Sequence, residues 1–316
     1  MRLIDGAALD AVLSRQELVE TLREAFRADI TVPPRQHHAL DSSGDAASLL
    51  LMPAWSGPSA AGFGHVGVKI VTVFPGNAAK GLATVAGVYL LLSGETGVPL
   101  AMIDGTALTL WRTAAASALA ASYLARPDAA HLLMIGAGAL APHLVAAHAA
   151  MRPITRVTLW NRDRARADHL ATRLADGGFD VRVATDLVRA LPEADIISCA
   201  TLSSEPLVRG DLVKSGAHLD LVGGFTPSMR EADDATIRRS RIYVDGPGAI
   251  VEAGDIAVPL AAGVLAAADI AGDLAGLCGG TASGRQAADE VTLFKSVGIA
   301  LEDIAAASLV WRKHGS

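Results

Sequence analysis

The sequence predicts an α/β protein in which a doubly wound parallel sheet is inserted into an α+β domain. Three observations predict it. From His131 onward, short apolar runs alternate with helical patterns, the rhythm of βαβ units. Before that, strands arrive in succession with no helix between them, as in an antiparallel or mixed sheet. After residue 290 a strand and a closing helix follow, and these most simply rejoin the N-terminal elements. The expected division is therefore residues 1–115 with 291–316 in one domain and 116–290 in the other.

Taken in order, Ser14 to Ala28 reads as an amphipathic helix. Ser14 is its cap, Glu17 lies three residues on, and Leu18, Leu22 and Phe26 recur at four-residue spacing. Pro33-Pro34 stops it, and Arg35 follows in an extended segment ahead of His37-His38; by itself Arg35 reads as a surface charge. Leu49–Trp55 and Phe63–Phe74 are strands, and Lys69 interrupts the apolar pattern of the second. Lysine is rarely buried without a partner, so Lys69 either reaches out from an edge or faces a site that holds an anion. After the turn Pro75-Gly76-Asn77, the segments Thr84–Leu92 and Val98–Asp104 are two strands joined by a hairpin-like connection. Thr109 to Arg126 is an alanine-rich helix for close packing, with Arg112 in its first turns, the end that favours an anionic ligand.

The stretch His131–His143 organises the rest. An apolar run ends at Gly136, and Gly-x-Gly-x-x-Ala (Gly136, Gly138, Ala141), with Ala137, Ala139 and Leu140 filling the turn, opens a helix. Gly136 permits the tight turn, Gly138 lets a pyrophosphate approach the backbone, and Ala141 lets the helix sit close to the strand. The chain has 31 glycines, so the match counts only because a strand precedes it and a βαβ rhythm follows. This is the context of a Rossmann-type dinucleotide site. The next strand, Arg156–Trp160, ends in Asn161-Arg162-Asp163, with Asn161 25 residues beyond Gly136. An acid at its end bonds the ribose 2′-hydroxyl of NAD, whereas an amide followed by arginine suits a 2′-phosphate. The pattern favours NADP(H), with Asp163 keeping NAD(H) as the alternative. A helix over Asp163–Ala175 and strands at Val181–Val183, Ile196–Cys199, Ala217–Val222 and Ile242–Asp245 complete a sheet of about six strands. His218 reads as a satisfied core histidine. Val291–Lys295 and Leu301–Trp311 are the terminal strand and helix.

Composition narrows the function classes. A net charge of −6 and a pI near 5.8 argue against nucleic acid or an anionic membrane as the main partner. An acid at position 5 interrupts what would be the core of a signal peptide, and the run Leu82–Leu92 is too short to span a bilayer. Two cysteines make no disulfide framework, and no Cys/His spacing suggests a metal. The expectation is a soluble cytoplasmic protein with no metal site.

Several ordered motifs together resemble the ornithine cyclodeaminase/mu-crystallin family over most of the chain. They are Val68-Lys69 with Pro75-Gly76-Asn77, Leu110–Ala115 (LWRTAA), Gly136-Ala137-Gly138, Glu252-Ala253-Gly254-Asp255, and Val291–Gly298 followed by Glu302-Asp303. The resemblance implies a homodimer whose N-terminal domains pair through their sheets, with each active site between the two domains of one subunit. It implies that Arg35, Lys69 and Arg112 hold a substrate carboxylate, which decides the reading of Lys69. Thr84 and Thr113, beside these motifs, become candidates for cofactor contact, as do Thr201 and Gly223.

One departure from the family is informative. Cyclodeaminases look like Gly-x-Asp-x-Pro-Gly-Lys after the fifth sheet strand, where the aspartate is the acid/base; this sequence has Gly223-Gly224-Phe225-Thr226-Pro227. Phe225 can neither move a proton nor attract an ammonium group. The form resembles the branch of ketimine reductases, mu-crystallins and alanine-dehydrogenase-like enzymes. The resemblance thus implies an NAD(P)H-dependent reductase of cyclic α-imino acids such as 1-pyrroline-2-carboxylate or 1-piperideine-2-carboxylate, giving proline or pipecolate. In that reaction Lys69 could share a proton with the ring nitrogen and Phe225 could wall the ring. The alternatives are ornithine cyclodeamination, amino-acid oxidoreduction of the alanine dehydrogenase kind, and a non-catalytic NADPH-binding protein.

Overall fold

The computed structural model describes residues 1–42, 45–57 and 62–314. They form two units, Met1–Thr113 with Ile299–Ser316, and Ala114–Gly298.

The first unit is built on a seven-stranded sheet. Its strands are β1 (Arg2–Ile4), β2 (Ile30–Thr31), β3 (Gln36–Ser42), β4 (Asp45–Ser56), β5 (His65–Val73), β6 (Val85–Ser93) and β7 (Pro99–Asp104). The order is β1-β7-β6-β5-β4-β2, with β3 also on β4, and every pair is antiparallel except β1 with β7. Helices α1 (Gly6–Val12) and α2 (Arg15–Ala25) precede the main strands. Ser14 caps α2, accepting the Glu17 N–H at 3.3 Å. Helix α1 is not visible as a sequence pattern: seven residues are less than two apolar periods, and the Asp5 cap on the Ala8 N–H (2.9 Å) helps define it. The closing helix, Ala300–His314, packs on α2 and on β4, β5 and β6. It covers one sheet face, where Met52, Ala54, Lys69, Tyr89, Leu91 and Ile103 are buried.

Helix α3 (Gly105–Leu124) leads into the second unit, which is an eight-stranded, all-parallel sheet. Its strands are β8 (His131–Ile135), β9 (Arg156–Trp160), β10 (Asp180–Val183), β11 (Ile196–Cys199), β12 (His218–Leu221), β13 (Ser240–Val244), β14 (Ile270–Asp273) and β15 (Val291–Lys295). They run in the order β10-β9-β8-β11-β12-β15-β13-β14. Helices α4 (Ala141–Met151) and α5 (Arg164–Asp176) follow β8 and β9. The direction of winding reverses between β8 and β11, and open α/β sheets bind ligands outside the carboxyl ends of strands at such a switch point.

Two expectations change. The sheet has eight strands rather than about six, because Ile270–Asp273 and Val291–Lys295 join it. Val291–Lys295 does not rejoin the N-terminal elements; it pairs in parallel with β12 and β13. All five of its residues are buried, as suits a central parallel strand covered on both faces, not an antiparallel edge.

Candidate active site

In the second unit the glycine turn has the form the sequence predicts. Gly136 holds φ +109°, donates its N–H to the Trp160 carbonyl at 2.8 Å, and has room for no Cβ, which would lie 2.6 Å from the Ala200 carbonyl oxygen. Gly138 is exposed, with open space where a side chain would stand, so the backbone is accessible from outside. Ala139 and Leu140 lead into α4, whose first turn carries Pro142 and leaves N–H groups to an anion.

Asn161 lies against the glycine turn. Its Oδ1 accepts the Ala137 N–H at 3.2 Å and its Nδ2 donates to the Asp163 carbonyl at 2.7 Å, so it shapes the glycine turn. Arg162 is exposed and has no ion-pair partner among the described residues. Arg164 and Arg166, by contrast, lie by Asp168 and Asp163 at 3.4 Å each.

Thr201 and Gly223 follow β11 and β12 at the carboxyl edge, and one buried carboxylate binds both. Glu231 Oε1 accepts the Thr201 N–H (2.7 Å) and hydroxyl (2.9 Å), while Oε2 accepts the N–H groups of Gly223 (2.8 Å) and Gly224 (3.3 Å). Lys295 Nζ lies 3.2 Å from Asp255 Oδ2 and 3.9 Å from Glu231 Oε2, and all three side chains are fully buried. Burial pushes the Glu231 carboxyl above the usual carboxylate range, with Lys295 pulling it back and Asp255 adding to the rise. Phe225, in the loop after β12, is 42% exposed.

In the first unit Lys69 on β5 and Arg112 on α3 meet on one carboxylate of the closing helix. Asp303 Oδ1 accepts from Lys69 Nζ (2.9 Å) and Arg112 Nε (3.0 Å), and Oδ2 lies 2.8 Å from the same Nζ. Arg112 also donates to Glu302 Oε2 at 2.7 Å. These four charges are buried together, two of each sign. Burial lowers the Lys69 ammonium to about 8, helped by Arg112 and opposed by Asp303 and Glu302. Tyr89 lies across from Lys69 in the β5–β6 register and is fully buried; burial, then the Asp303 charge, raises its phenol well above the usual value.

Arg35 is half-buried and immediately precedes β3. The pairs Gln36 with Leu51 and Met52 with Lys69 bring it level with Lys69, two strands away, or about 10 Å. Thr113 is buried beside Arg112, and half-buried Thr84 accepts the Phe74 N–H through its carbonyl at 2.8 Å.

Sequence reasoning gave no role to Glu231, Asp255, Lys295, Tyr89, Glu302 or Asp303. A signal existed: Lys295 closes an apolar strand, and Glu302-Asp303 open an apolar helix. A charge inside an apolar run needs a buried partner of opposite sign. No group of three or more His, Cys, Asp or Glu suited to a metal occurs among the described residues, and no helix there is long and apolar enough to cross a membrane.

The chain matches the model of the ornithine cyclodeaminase/mu-crystallin family over residues 7–316. It is 42% identical over 315 residues to Protein SAR DEFICIENT 4 of Arabidopsis thaliana, covering 97% of this chain and 95% of the relative. It is 36% identical over 319 residues to the Delta(1)-pyrroline-2-carboxylate reductase of Colwellia psychrerythraea, covering 99% of each. The solved Delta(1)-pyrroline-2-carboxylate reductase of Thermococcus litoralis, in complex with NADH and L-proline, superposes with a TM-score of 0.92 at 33% identity, covering 100% of this chain and 98% of that one.

Proposed function

Because the chain belongs to the ornithine cyclodeaminase/mu-crystallin family, we infer that it is an NAD(P)H-dependent reductase acting on the C=N bond of cyclic α-imino acids. The observation that carries this reading is Phe225: an exposed aromatic ring stands in the loop after β12 where cyclodeaminases look to have their acid. A ring imine needs positioning and an apolar, dry surface more than it needs a strong protein acid.

The residues divide the work. Lys69 and Arg112 are committed to Asp303 and Glu302, so the buried cluster is neutral before substrate arrives. Arg35, level with Lys69 across β4, is the third cation proposed for the substrate carboxylate. Lys69, titrating near 8, holds a proton that it can share with the ring nitrogen. Phe225 offers apolar wall to the ring. The glycine turn Gly136–Leu140 and the α4 N-terminus fit a pyrophosphate, and Thr84, Thr113, Thr201 and Gly223 are the proposed contacts to the rest of the cofactor. A reduced nicotinamide bound there would supply the hydride. Exposed Arg162, without a carboxylate partner among the described residues, supports a preference for the 2′-phosphate of NADP(H) over NAD(H).

The homodimer belongs to the same reading. The sheet face opposite the closing helix carries Trp55, Val66 and Val88 exposed and Val68, Ile70 and Leu90 half-buried, an apolar surface that suits a second copy. Light scattering of the purified chain checks this, and a monomer at micromolar concentration would remove it.

The test of function is oxidation of NADPH and NADH with the five- and six-membered ring imines, beside a proline-formation assay from ornithine plus NAD. Imine-dependent oxidation without proline from ornithine is the expected result. Proline and ammonia from ornithine with inert imines would overturn the reading.

A further inference from the structure

The cofactor half of the site rests on charged groups that touch neither the glycine turn nor the 2′-phosphate region. Glu231 lies under the carboxyl edge of the sheet, where Cys199, Leu221, Lys295 and Val244 end their strands side by side. Its two oxygens are divided between two loops: Oε1 takes Thr201, after β11, and Oε2 takes Gly223 and Gly224, after β12. Asp255 fastens Glu231 in turn, its Oδ1 accepting the N–H groups of Glu231 (2.7 Å) and Ala232 (3.0 Å). Lys295 at the end of β15 stands against both acids. The glycines are part of the construction. A Cβ at Gly223 would collide with the Thr201 backbone, and one at Gly224 would lie 2.9 Å from Asp255 Oδ2. A Cβ at Gly254 would collide with the Met229 carbonyl, so the loop bearing Phe225 is clasped from both sides.

These contacts place two loops in fixed relation beside the switch point. By the rule for open α/β sheets, the glycine turn after β8 would serve a pyrophosphate and the end of β9 an adenosine ribose; β11 and β12 lie on the other side of β8, the side that would be left for a nicotinamide. We propose that Glu231, held by Asp255 and Lys295, is a positioning residue that sets the nicotinamide end of the cofactor by locking the Thr201 and Gly223–Phe225 loops together. The proposal rests on the reductase reading given above and adds to it which half of the cofactor the buried cluster controls.

The locking follows from donor arithmetic. Four N–H and O–H donors, with the Cys199 thiol beside them, converge on one carboxylate, and no neutral side chain of that shape accepts them all. In Glu231→Gln the amide nitrogen must face either the Thr201 pair or the glycine pair, leaving donors opposed to a donor and freeing one loop from the other. Glu231→Asp keeps the charge beside Lys295 but is one methylene too short to bridge both loops.

The experiment is a fluorescence titration of wild type, Glu231→Gln and Glu231→Asp with NADPH, and a competition titration with 2′,5′-ADP, which carries only the adenosine half. The proposal expects NADPH affinity to fall about tenfold or more in Glu231→Gln, and by less in Glu231→Asp, while 2′,5′-ADP affinity stays within about twofold. Thermal unfolding shows whether each variant is folded, and Glu231→Asp, which retains the buried negative charge, carries the test if Glu231→Gln does not fold. Equal weakening of both ligands would show general loosening and overturn the proposal, as would unchanged NADPH affinity in folded Glu231→Asp. A wild-type protein that binds only NADH carries the same test with NADH and 5′-AMP as the two ligands, and one that binds neither NADPH nor NADH would overturn the reductase reading, and the proposal with it.

Discussion

Replacing Asp303 with asparagine tests the substrate half of the site through a single charge. Asp303 binds Lys69 Nζ through both oxygens, at 2.9 and 2.8 Å, and Arg112 Nε at 3.0 Å, with no exposure to solvent. Asparagine has the same shape and keeps one acceptor but removes the negative charge. At 2.8 Å and an effective dielectric of about 20, a unit ion pair is worth about 6 kcal/mol before relaxation. If a third of that survives relaxation, about 2 kcal/mol remains, or about 1.5 pH units. The sign follows from the neighbours: Asp303 and Glu302 hold the ammonium form of Lys69 in place against burial and Arg112, so removing one acid lowers its titration point from about 8. If protonated Lys69 is needed to receive the substrate carboxylate, kcat/KM for the ring imine falls on the alkaline side as Lys69 loses its proton. The variant moves this alkaline limb about 1.5 pH units toward acid. The assay is NADPH oxidation at saturating cofactor from about pH 6 to pH 10, wild type beside variant, so that titration of the imine itself is common to both. An alkaline limb that stays in place, or moves toward higher pH, would refute the reasoning.

Three further outcomes are expected. Arg162→Ala lowers kcat/KM for NADPH by about 10- to 100-fold, the worth of a charge-assisted bond to a 2′-phosphate, and leaves NADH almost unchanged; equal loss with both cofactors would show that Arg162 does not read the phosphate. Phe225→Ala lowers kcat/KM for the six-membered imine by about tenfold through lost apolar contact, without proline appearing from ornithine; an unchanged value would remove Phe225 from the site. His218 is fully buried and burial drops its imidazole to about 3, so it is neutral in the folded protein and gains a proton on unfolding below its ordinary 6.5. Its contribution to stability is therefore complete above pH 6.5 and is lost as pH falls toward 3, by at most about 1.4 kcal/mol per pH unit. Urea midpoints measured across that window should fall for wild type and fall less steeply for His218→Asn; a flat wild-type profile would contradict it.

The local features of this protein were written in the sequence because their physics is local. The Ser14 cap, the turn at Gly136 with its positive φ, the β6–β7 hairpin and strand β9 each depend on residues within a few positions of one another. The parallel rhythm after His131 also survives as pattern, since strands buried on both faces are mostly apolar on both. What the sequence could not place is whatever depends on distant chain. Strand order is one case: Val291–Lys295 enters between β12 and β13, and only the tertiary structure says which sheet has the vacant central slot. Charge pairing is the other. Lys69 and Asp303 lie 234 positions apart, and Arg112 and Glu302 190. Composition can say that a charge in an apolar run requires a partner. Which charge answers it is settled by the packing of the closing helix on β5, and at Glu231 by the approach of two strand-end loops to one carboxylate.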